Sequence, residues 1–453
     1  MVLKAFLLFA ENLISGTFPF LILIITGVYL TVKGGFFQFS KFPKSVALVV
    51  KAFKCKTNEG EISSYRAACT AISATVGTGN IAGVAGALSI GGAGAVFWMW
   101  ISALCGMAVK FGEIALAIIF REKQGEKYRG GPMYYIKNGL SKKFGILGIL
   151  FTLVTIPAVI VSGNMTQTNA SVTAVGGDIK TRLILGIVFG AATAVIMGGG
   201  IKRIGAVTEK LVPLMSVIYV IMSVAIIALN IDFLPTAFKM IIEGAFNPRA
   251  VTGGAVGSVG TAMMIGASRG VFSNEAGLGT SAMAHSAAFD ADSNTQGLYG
   301  IFEVFIDTIL LCTLTALTIL CSRVNIDYGN AASTELVRAA LETGFGDLAK
   351  TLLAVMMCVF GFSSVIGWAV YGDISSEYLF GKIGKTVFKA VYPLSCILGA
   401  VVNTGFVWRA AAFLNGIMLC LNLPAILMLN DNFLKEEKYE KTNRKFKKGI
   451  RKG

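Results

Sequence analysis

The chain has 453 residues, of which 55% are hydrophobic and only 14% are charged, and its mean hydropathy is +0.71. This composition excludes a water-soluble globular protein and indicates an all-α protein that crosses a bilayer many times. The net charge of +15 would suit nucleic acid, but the basic residues lie in short loops and in the tail from Lys435 to Lys452. Positive-inside bias explains that pattern, so we expect a lipid bilayer and no nucleic acid as partner.

Eleven apolar runs are long enough to span a membrane. Basic residues cluster after the first, third, fifth, ninth and eleventh runs, which predicts an N-terminus outside and a C-terminus in the cytoplasm, in the cell membrane. Amphipathic stretches at 42–53, 233–246 and 333–342 are predicted to lie along the interface. The runs cover residues 14–32, 62–88, 93–120, 144–174, 182–199, 205–230, 256–286, 296–322, 347–376, 385–403 and 406–430.

The second and seventh runs are each interrupted by glycines and polar residues, which predicts two discontinuous helices. When the first run is set aside, ten remain, and each interrupted run opens a group of five. Because five is odd, the two groups have opposite orientations, the inverted-repeat plan of many transporters. We therefore predict an extra N-terminal helix and interfacial helix in 1–60, two repeats in 61–230 and 231–432, and a basic cytoplasmic tail in 433–453.

The first interruption should bind ligands through its backbone. Non-helical backbone at membrane depth is tolerated only where it is buried or lines a cavity. The N–H groups that open the second half-helix at Thr78, Gly79 and Asn80 suit a carboxylate, and carbonyls between Ser73 and Val76 suit a small cation. Close packing of small residues is the alternative for the glycines, but it leaves the hydroxyl and amide side chains unexplained.

The second interruption contains an acid, Glu275, preceded by Ser273 and Asn274. An acid at membrane depth costs about 2.5–3.5 kcal/mol on insertion scales, so such a residue is rarely idle. It could cap the following half-helix, pair with Arg269 or bind a cation, and the sequence leaves these possibilities open.

Other polar residues lie within apolar runs. Asn164 and Gln167 are one helical turn apart and could face a substrate or form hydrogen bonds between helices. Ser363 and Ser364 offer two hydroxyls of the kind a sodium ion requires.

Two pairs of ionisable residues also lie in apolar runs. Lys110 and Glu113 are expected to neutralise each other. Glu303 and Asp307 share a helix face with no obvious local cation, which leaves proton coupling or packing as options. With a single histidine and no nucleophile–base pair, the chain is expected to be neither an enzyme nor a cofactor protein.

Three motifs together resemble the alanine or glycine:cation symporter family of the amino acid–polyamine–organocation superfamily. They are Gly91–Gly106 (GGAGAVFWMWISALCG), Ala74–Gly83 (ATVGTGNIAG) and Ser273–Gly279 (SNEAGLG), and the likeness extends over nearly the whole chain. The resemblance implies sodium-driven uptake of alanine or glycine through a ten-helix inverted-repeat core with one additional helix.

The resemblance also implies roles for individual residues. Thr78, Gly79 and Asn80 would bind the substrate carboxylate, and a sodium site would comprise Ser73, Val76, Ser363 and Ser364. The substrate side chain and amine would be bordered by Phe272, Asn274, Ile366 and Trp368.

We therefore predict a sodium-coupled symporter of small neutral amino acids that works by alternating access. The main alternative is the same fold coupled to protons or carrying another small solute, with Glu275, Glu303 or Asp307 as the titrating group. A passive channel would show a continuous polar lining instead of two local breaks, and an intramembrane enzyme would need catalytic residues that the sequence lacks.

Overall fold

A computed structural model of the chain describes residues 18–53, 62–125, 127–330 and 334–435, together with the backbone of 436–450. Helices occupy most of these residues, and the only strands among them form one short antiparallel hairpin, β1 (Glu122–Gln124) and β2 (Lys127–Arg129). The helices are α1 (Phe18–Lys33), α2 (Phe37–Ser40), α3 (Phe42–Phe53), α4 (Ser64–Thr75), α5 (Ala82–Gly91), α6 (Gly94–Ile119), α7 (Pro132–Gly139), α8 (Gly145–Ala158), α9 (Thr166–Val175), α10 (Ile179–Gly198), α11 (Gly200–Leu229), α12 (Leu234–Phe246), α13 (Pro248–Val251), α14 (Val259–Asn274), α15 (Thr280–Ser286), α16 (Ser293–Val304), α17 (Thr313–Cys321), α18 (Thr334–Phe345), α19 (Leu348–Val401) and α20 (Thr404–Ile450).

The many-helix membrane fold predicted from composition is confirmed. Among the residues that the structure describes, seven helical segments are long and apolar enough to cross a bilayer, and the bent pair α4 and α5 makes an eighth. Helices lie within every predicted run, although residues 14–17 of the first are outside the described part. Two predicted runs fall within α19, which is interrupted at Gly381 (φ 62°, ψ −149°). The count of eleven crossings, the inverted repeat and the domain boundaries remain predictions.

The first predicted break is present between α4 and α5. Val76 and Gly77 adopt extended backbone conformations (φ −75° and −142°), so helical hydrogen bonding stops at Thr75. A 3₁₀ turn over Thr78–Asn80 follows, and the two half-helices meet at an angle of 52°. The break is entirely buried, so its polar backbone groups must find partners within the protein.

The second predicted break lies between α14 and α15. Glu275 ends α14 in the left-handed conformation (φ 55°), and Gly277 and Gly279 also have positive φ (85° and 75°). A left-handed residue stops the helix, and glycine adopts that conformation without a Cβ penalty. The positive φ angles therefore explain why glycine occupies positions 277 and 279 in this motif.

Two further helices widen into π-helical segments, one at Val159–Met165 between α8 and α9 and one at Phe305–Cys312 between α16 and α17. A π-helical turn disturbs the regular hydrogen-bonding ladder and is frequent at functional sites. The first segment contains Asn164, and the second contains Asp307.

Burial separates the inner helices from the membrane-facing ones. Helix α6 is almost wholly enclosed and packs against α14, α16 and α1. Helices α10 and α11 instead expose large apolar side chains such as Ile184, Val195 and Ile221, as a lipid-facing surface requires. The predicted interfacial stretches form α3, α12 and α18, although residue 333 lies outside the described part.

Candidate substrate and cation site

The first break presents its donors toward Gln167 on α9. Both the backbone N–H and the hydroxyl of Thr78 donate to Gln167 Oε1, at 3.1 and 2.8 Å. Gly79 lies beside the Phe272 ring, and a Cβ at position 79 would be 3.6 Å from it. The break thus joins α9 and α14 around one point inside the protein.

A small cavity of about 10 Å³ lies at this point, with room for roughly one water molecule. Four of the predicted substrate residues line it, as does Glu275. The remaining lining includes Thr75 of the first break and Asn415 of α20. The full lining is Ala74, Thr75, Gly79, Ser162, Gln167, Phe272, Glu275, Trp368 and Asn415.

The other predicted substrate residues lie near the cavity without lining it. Thr78 reaches it through Gln167, whereas the Asn164 amide donates to Tyr392 O at 2.8 Å, as a hydrogen bond between helices would. The Asn274 amide donates to Thr308 Oγ1 at 3.1 Å, and Ile366 is buried in an apolar cluster. Asn80 caps the break, because its Oδ1 accepts from Gly77 N at 2.8 Å.

Two polar residues that line the cavity, Ser162 and Asn415, were not among the sequence candidates, whereas Thr75 belongs to the first interruption. Ser162 Oγ donates to Asn415 Oδ1 at 3.1 Å, and Thr75 is the last residue of α4. Asn415 is an amide within an apolar run, the same signal that selected Asn164 and Gln167. Applied to every run, that criterion would have found it.

Two aromatic rings, Phe272 and Trp368, line the cavity. The Phe272 ring packs against Trp408 with 4.9 Å between centroids, and the Arg269 guanidinium lies over Trp408 at 5.2 Å. Glu275 accepts a hydrogen bond from Thr280 Oγ1 at 2.6 Å, and no ion pair joins it to Arg269 among the described residues. Of the possibilities that the sequence left open for Glu275, the geometry favours contact with the start of α15.

The four predicted cation residues lie at the contact of α4 with α19. Ser364 Oγ lies 3.4 Å from Val76 O, and a Cβ at Gly367 would come within 2.5 Å of Ser73 Oγ, so the two helices approach closely here. Ser73 Oγ donates to Thr70 O at 2.7 Å. Ser363 Oγ is buried and has no hydrogen-bond partner within the described ranges.

A buried cluster of charged residues contacts the second break and the start of α15. Lys110 Nζ is 3.2 Å from Glu303 Oε1, 3.6 Å from Glu113 Oε1 and 2.8 Å from Ser281 Oγ. The expectation that Glu303 has no local cation is therefore wrong, because Lys110 approaches it from another helix. Glu113 Oε2 also accepts from Gly279 N at 3.1 Å, which ties the cluster to the backbone of the break.

The sequence profile of the sodium:alanine symporter family matches residues 1–452. The chain belongs to the sodium:alanine symporter family. Members and named relatives of this family are transporters and not enzymes, and the chain is accordingly a multi-pass membrane transporter. The family recognised from the three sequence motifs is thereby confirmed.

Named relatives cover most of the chain. The sodium/alanine symporter AgcS of Methanococcus maripaludis is 38% identical over 437 residues, 94% of this chain and 95% of the relative. The amino-acid carrier protein AlsT of Bacillus subtilis is 36% identical over 91% of this chain and 87% of its own length. The probable sodium/glutamine symporter GlnT of Bacillus subtilis is 34% identical over 93% and 87%, respectively.

A solved structure shares the fold. MhsT in complex with L-phenylalanine superposes with a TM-score of 0.54 at 14% identity, covering 81% of this chain and 90% of MhsT. At that identity the likeness concerns the arrangement of helices alone.

Proposed function

We propose that this protein is a sodium-coupled symporter of small neutral amino acids, alanine or glycine or both. The observation that carries the proposal is the small cavity at the first break: Gln167, which lines it, accepts from the backbone N–H and the hydroxyl of Thr78, and Phe272 and Trp368 line it with aromatic rings. Such donors suit a carboxylate, and the family to which the chain belongs supports coupling to sodium.

Binding of the carboxylate requires a rearrangement of Gln167. Its Oε1 accepts both donors of Thr78, so a substrate carboxylate can take those hydrogen bonds only if the amide turns away. The freed amide NH₂ group can then donate to the same carboxylate. This exchange links occupancy of the cavity to the packing of α9 against the first break.

The walls favour a small side chain. Phe272 and Trp368 face the cavity, and the free volume is close to that of one water molecule. The name of GlnT raises glutamine as a rival substrate, and the names of AgcS and AlsT favour alanine or a broader amino-acid range. A larger side chain would have to displace an aromatic ring, so alanine and glycine are the better fit.

The cation is proposed to bind where α4 meets α19. The Ser363 hydroxyl, which has no hydrogen-bond partner among the described residues, supports this placement, because a buried hydroxyl without a partner is costly unless a ligand satisfies it. The Ser364 hydroxyl, the Val76 carbonyl and the Ser73 hydroxyl are the neighbouring oxygens. The N-terminus outside and the C-terminus in the cytoplasm belong to the same proposal and rest on the basic loops.

Competition in proteoliposomes tests the proposal. Uptake of labelled alanine would be measured under an inward sodium gradient, with unlabelled alanine, glycine and glutamine as competitors. We expect alanine and glycine to compete, glutamine to compete weakly, and Thr78→Val to abolish uptake. Stronger competition by glutamine than by alanine would contradict the proposed substrate, and full activity of Thr78→Val would contradict the proposed site.

A control separates the substrate site from the surrounding fold. Thr318→Ala removes a buried threonine hydroxyl that does not line the cavity and that, among the described residues, back-bonds to Leu314 O at 2.8 Å. Its uptake should equal that of the wild type. Equal losses in Thr318→Ala and Thr78→Val would show that any hydroxyl removal disturbs the protein.

A further inference from the structure

A second cavity lies directly behind the wall of the substrate cavity. Its volume is about 30 Å³, against about 10 Å³ for the substrate cavity, so it has room for about two water molecules. The two cavities share Phe272 and Asn415, which therefore form the wall between them. We call the second cavity the lateral pocket, and its lining includes Pro19, Phe20, Ser268, Phe272, Ala412 and Asn415.

The lateral pocket lies between the N-terminal helix α1 and the helices α14 and α20. Phe20 of α1 closes one side and is only 5% exposed. Helix α14 supplies Ser268 and Phe272, and helix α20 supplies Ala412 and Asn415. The additional helix α1 therefore helps to enclose a space that adjoins the substrate cavity.

Phe272 has free space on two sides. Its ring borders the substrate cavity and the lateral pocket, and its closest aromatic contact is Trp408, with 4.9 Å between centroids. Close packing normally holds a core side chain in one rotamer. A ring that borders two cavities can turn with less displacement of its neighbours, and turning would join the cavities.

Two polar groups in the lateral pocket are available to a ligand. Asn415 Oδ1 accepts from Ser162 Oγ at 3.1 Å, but Asn415 Nδ2 and Ser268 Oγ make no hydrogen bond within the described ranges. An amide NH₂ group donates, whereas a hydroxyl both donates and accepts. Together they can satisfy the oxygen and the nitrogen of a carboxamide, and the apolar lining can hold an aliphatic group.

We propose that the lateral pocket receives the side chain of amino acids larger than alanine, after the Phe272 ring has turned. The inference rests on the proposed amino-acid transport and extends it to substrate selection. The carboxylate and amine of the substrate stay in the substrate cavity, and the side chain passes Phe272 into the lateral pocket. Alanine and glycine do not need this space, whereas glutamine uses it through its carboxamide.

Displacement of the ring sets the order of substrates. A larger side chain gives up the contact between Phe272 and Trp408, and such a contact changes binding by up to about tenfold. Glutamine should therefore bind more weakly than alanine without being excluded. The lateral pocket thus determines how well the transporter accepts larger amino acids.

Filling the lateral pocket tests the inference. Ala412→Leu adds an isobutyl group to its lining, and Ala412 does not line the substrate cavity. Labelled alanine uptake into proteoliposomes would be measured at increasing concentrations of unlabelled glutamine. We expect the half-inhibiting glutamine concentration to rise about tenfold or more, and the half-saturating alanine concentration to change less than about twofold. Unchanged glutamine competition in this variant, or a wild type that glutamine does not inhibit, would overturn the inference.

A double variant separates the lateral pocket from simple widening of the substrate cavity. Without the ring, in Phe272→Ala, leucine should compete about tenfold better, and adding Ala412→Leu should cancel most of that gain because the side chain loses its space. A gain that persists in the double variant would place the side chain in the substrate cavity and contradict the inference.

Ala410→Leu is the matched control on the same helix, at a partly exposed position that lines neither cavity. Competition by glutamine and by leucine should equal that of the wild type. A loss of competition equal to that in Ala412→Leu would count against the lateral pocket, since leucine at position 410 does not fill it.

Ser268→Ala keeps the inference testable if Ala412→Leu does not fold. Loss of the hydroxyl should weaken glutamine competition about fivefold and leave leucine competition unchanged, because leucine has no polar group to bond to it. Unchanged glutamine competition would contradict the proposed carboxamide contact. If the wild type takes up no alanine under a sodium gradient, the proposed function itself fails, whereas normal uptake with unchanged competition in the variants removes only the lateral pocket.

Discussion

Gly77→Ala should damage the site through steric crowding alone. The backbone of Gly77 is extended (φ −142°, ψ −159°), a conformation that alanine adopts without strain. The added methyl group would, however, collide with Ser364 Oγ and approach Gln167 Oε1 to 2.9 Å and Ser364 Cβ to 3.3 Å. Ser364 belongs to the proposed cation site and Gln167 to the proposed substrate site, so the added methyl group should disturb the binding of both ligands.

Overpacking of this kind typically costs about 1–3 kcal/mol. If the cost falls on the sodium- and substrate-bound state, affinity decreases by roughly 5- to 150-fold. The assay is the sodium dependence of labelled alanine uptake, together with the thermal unfolding midpoint of the purified protein. We expect a large rise in half-saturating sodium with a smaller change in the midpoint.

Gly83→Ala is the matched control in the same segment. Position 83 is buried in α5, and a Cβ there would meet nothing within 4 Å in the described structure. Alanine is also a better helix former than glycine by about 0.5–1 kcal/mol, so this variant should be neutral or more stable. Wild-type sodium affinity in Gly77→Ala, or equal damage in Gly83→Ala, would refute the reasoning.

Three other substitutions have distinct expected outcomes. Ser363→Ala should raise half-saturating sodium about tenfold without lowering the unfolding midpoint, since the hydroxyl has no protein partner within the described residues; unchanged sodium affinity would exclude it as a ligand. Lys110→Met should lower unfolding stability by about 3–5 kcal/mol because it strands buried acids, and adding Glu303→Gln should restore part of it. If Lys110→Met alone were as stable as the wild type in thermal unfolding, the ion pair would be dispensable for stability. Phe272→Ala should let leucine compete about tenfold better against labelled alanine, and unchanged selectivity would mean that the ring does not limit substrate size.

Local sequence patterns were sufficient to predict the two breaks. Gly77, together with the polar residues around it, interrupts a run that is otherwise apolar, and α4 ends there in the structure. Gly277 and Gly279 do the same in the second break through positive φ. Both signals are local, because conformation at these residues depends mainly on the residues themselves and their immediate neighbours.

Contacts between distant segments could not be predicted in this way. Lys110 meets Glu303 only because α6 packs against α16, and a sequence scan along one helix does not show that pairing. Asp307 faces Asn80 because a π-helical turn changes the register of side chains in the eighth run. Asn164 and Gln167 were equivalent in the sequence, and packing directed only Gln167 toward the cavity.

Uphill accumulation of alanine tests sodium-coupled symport most directly. Proteoliposomes with equal alanine inside and outside would receive an inward sodium gradient, with potassium replacing sodium in the control. We predict net alanine uptake against its own gradient in sodium only, since each sodium ion that moves down an electrochemical gradient equivalent to 100 mV can support accumulation of about 50-fold. Equilibration without accumulation, or equal accumulation in potassium, would contradict the account.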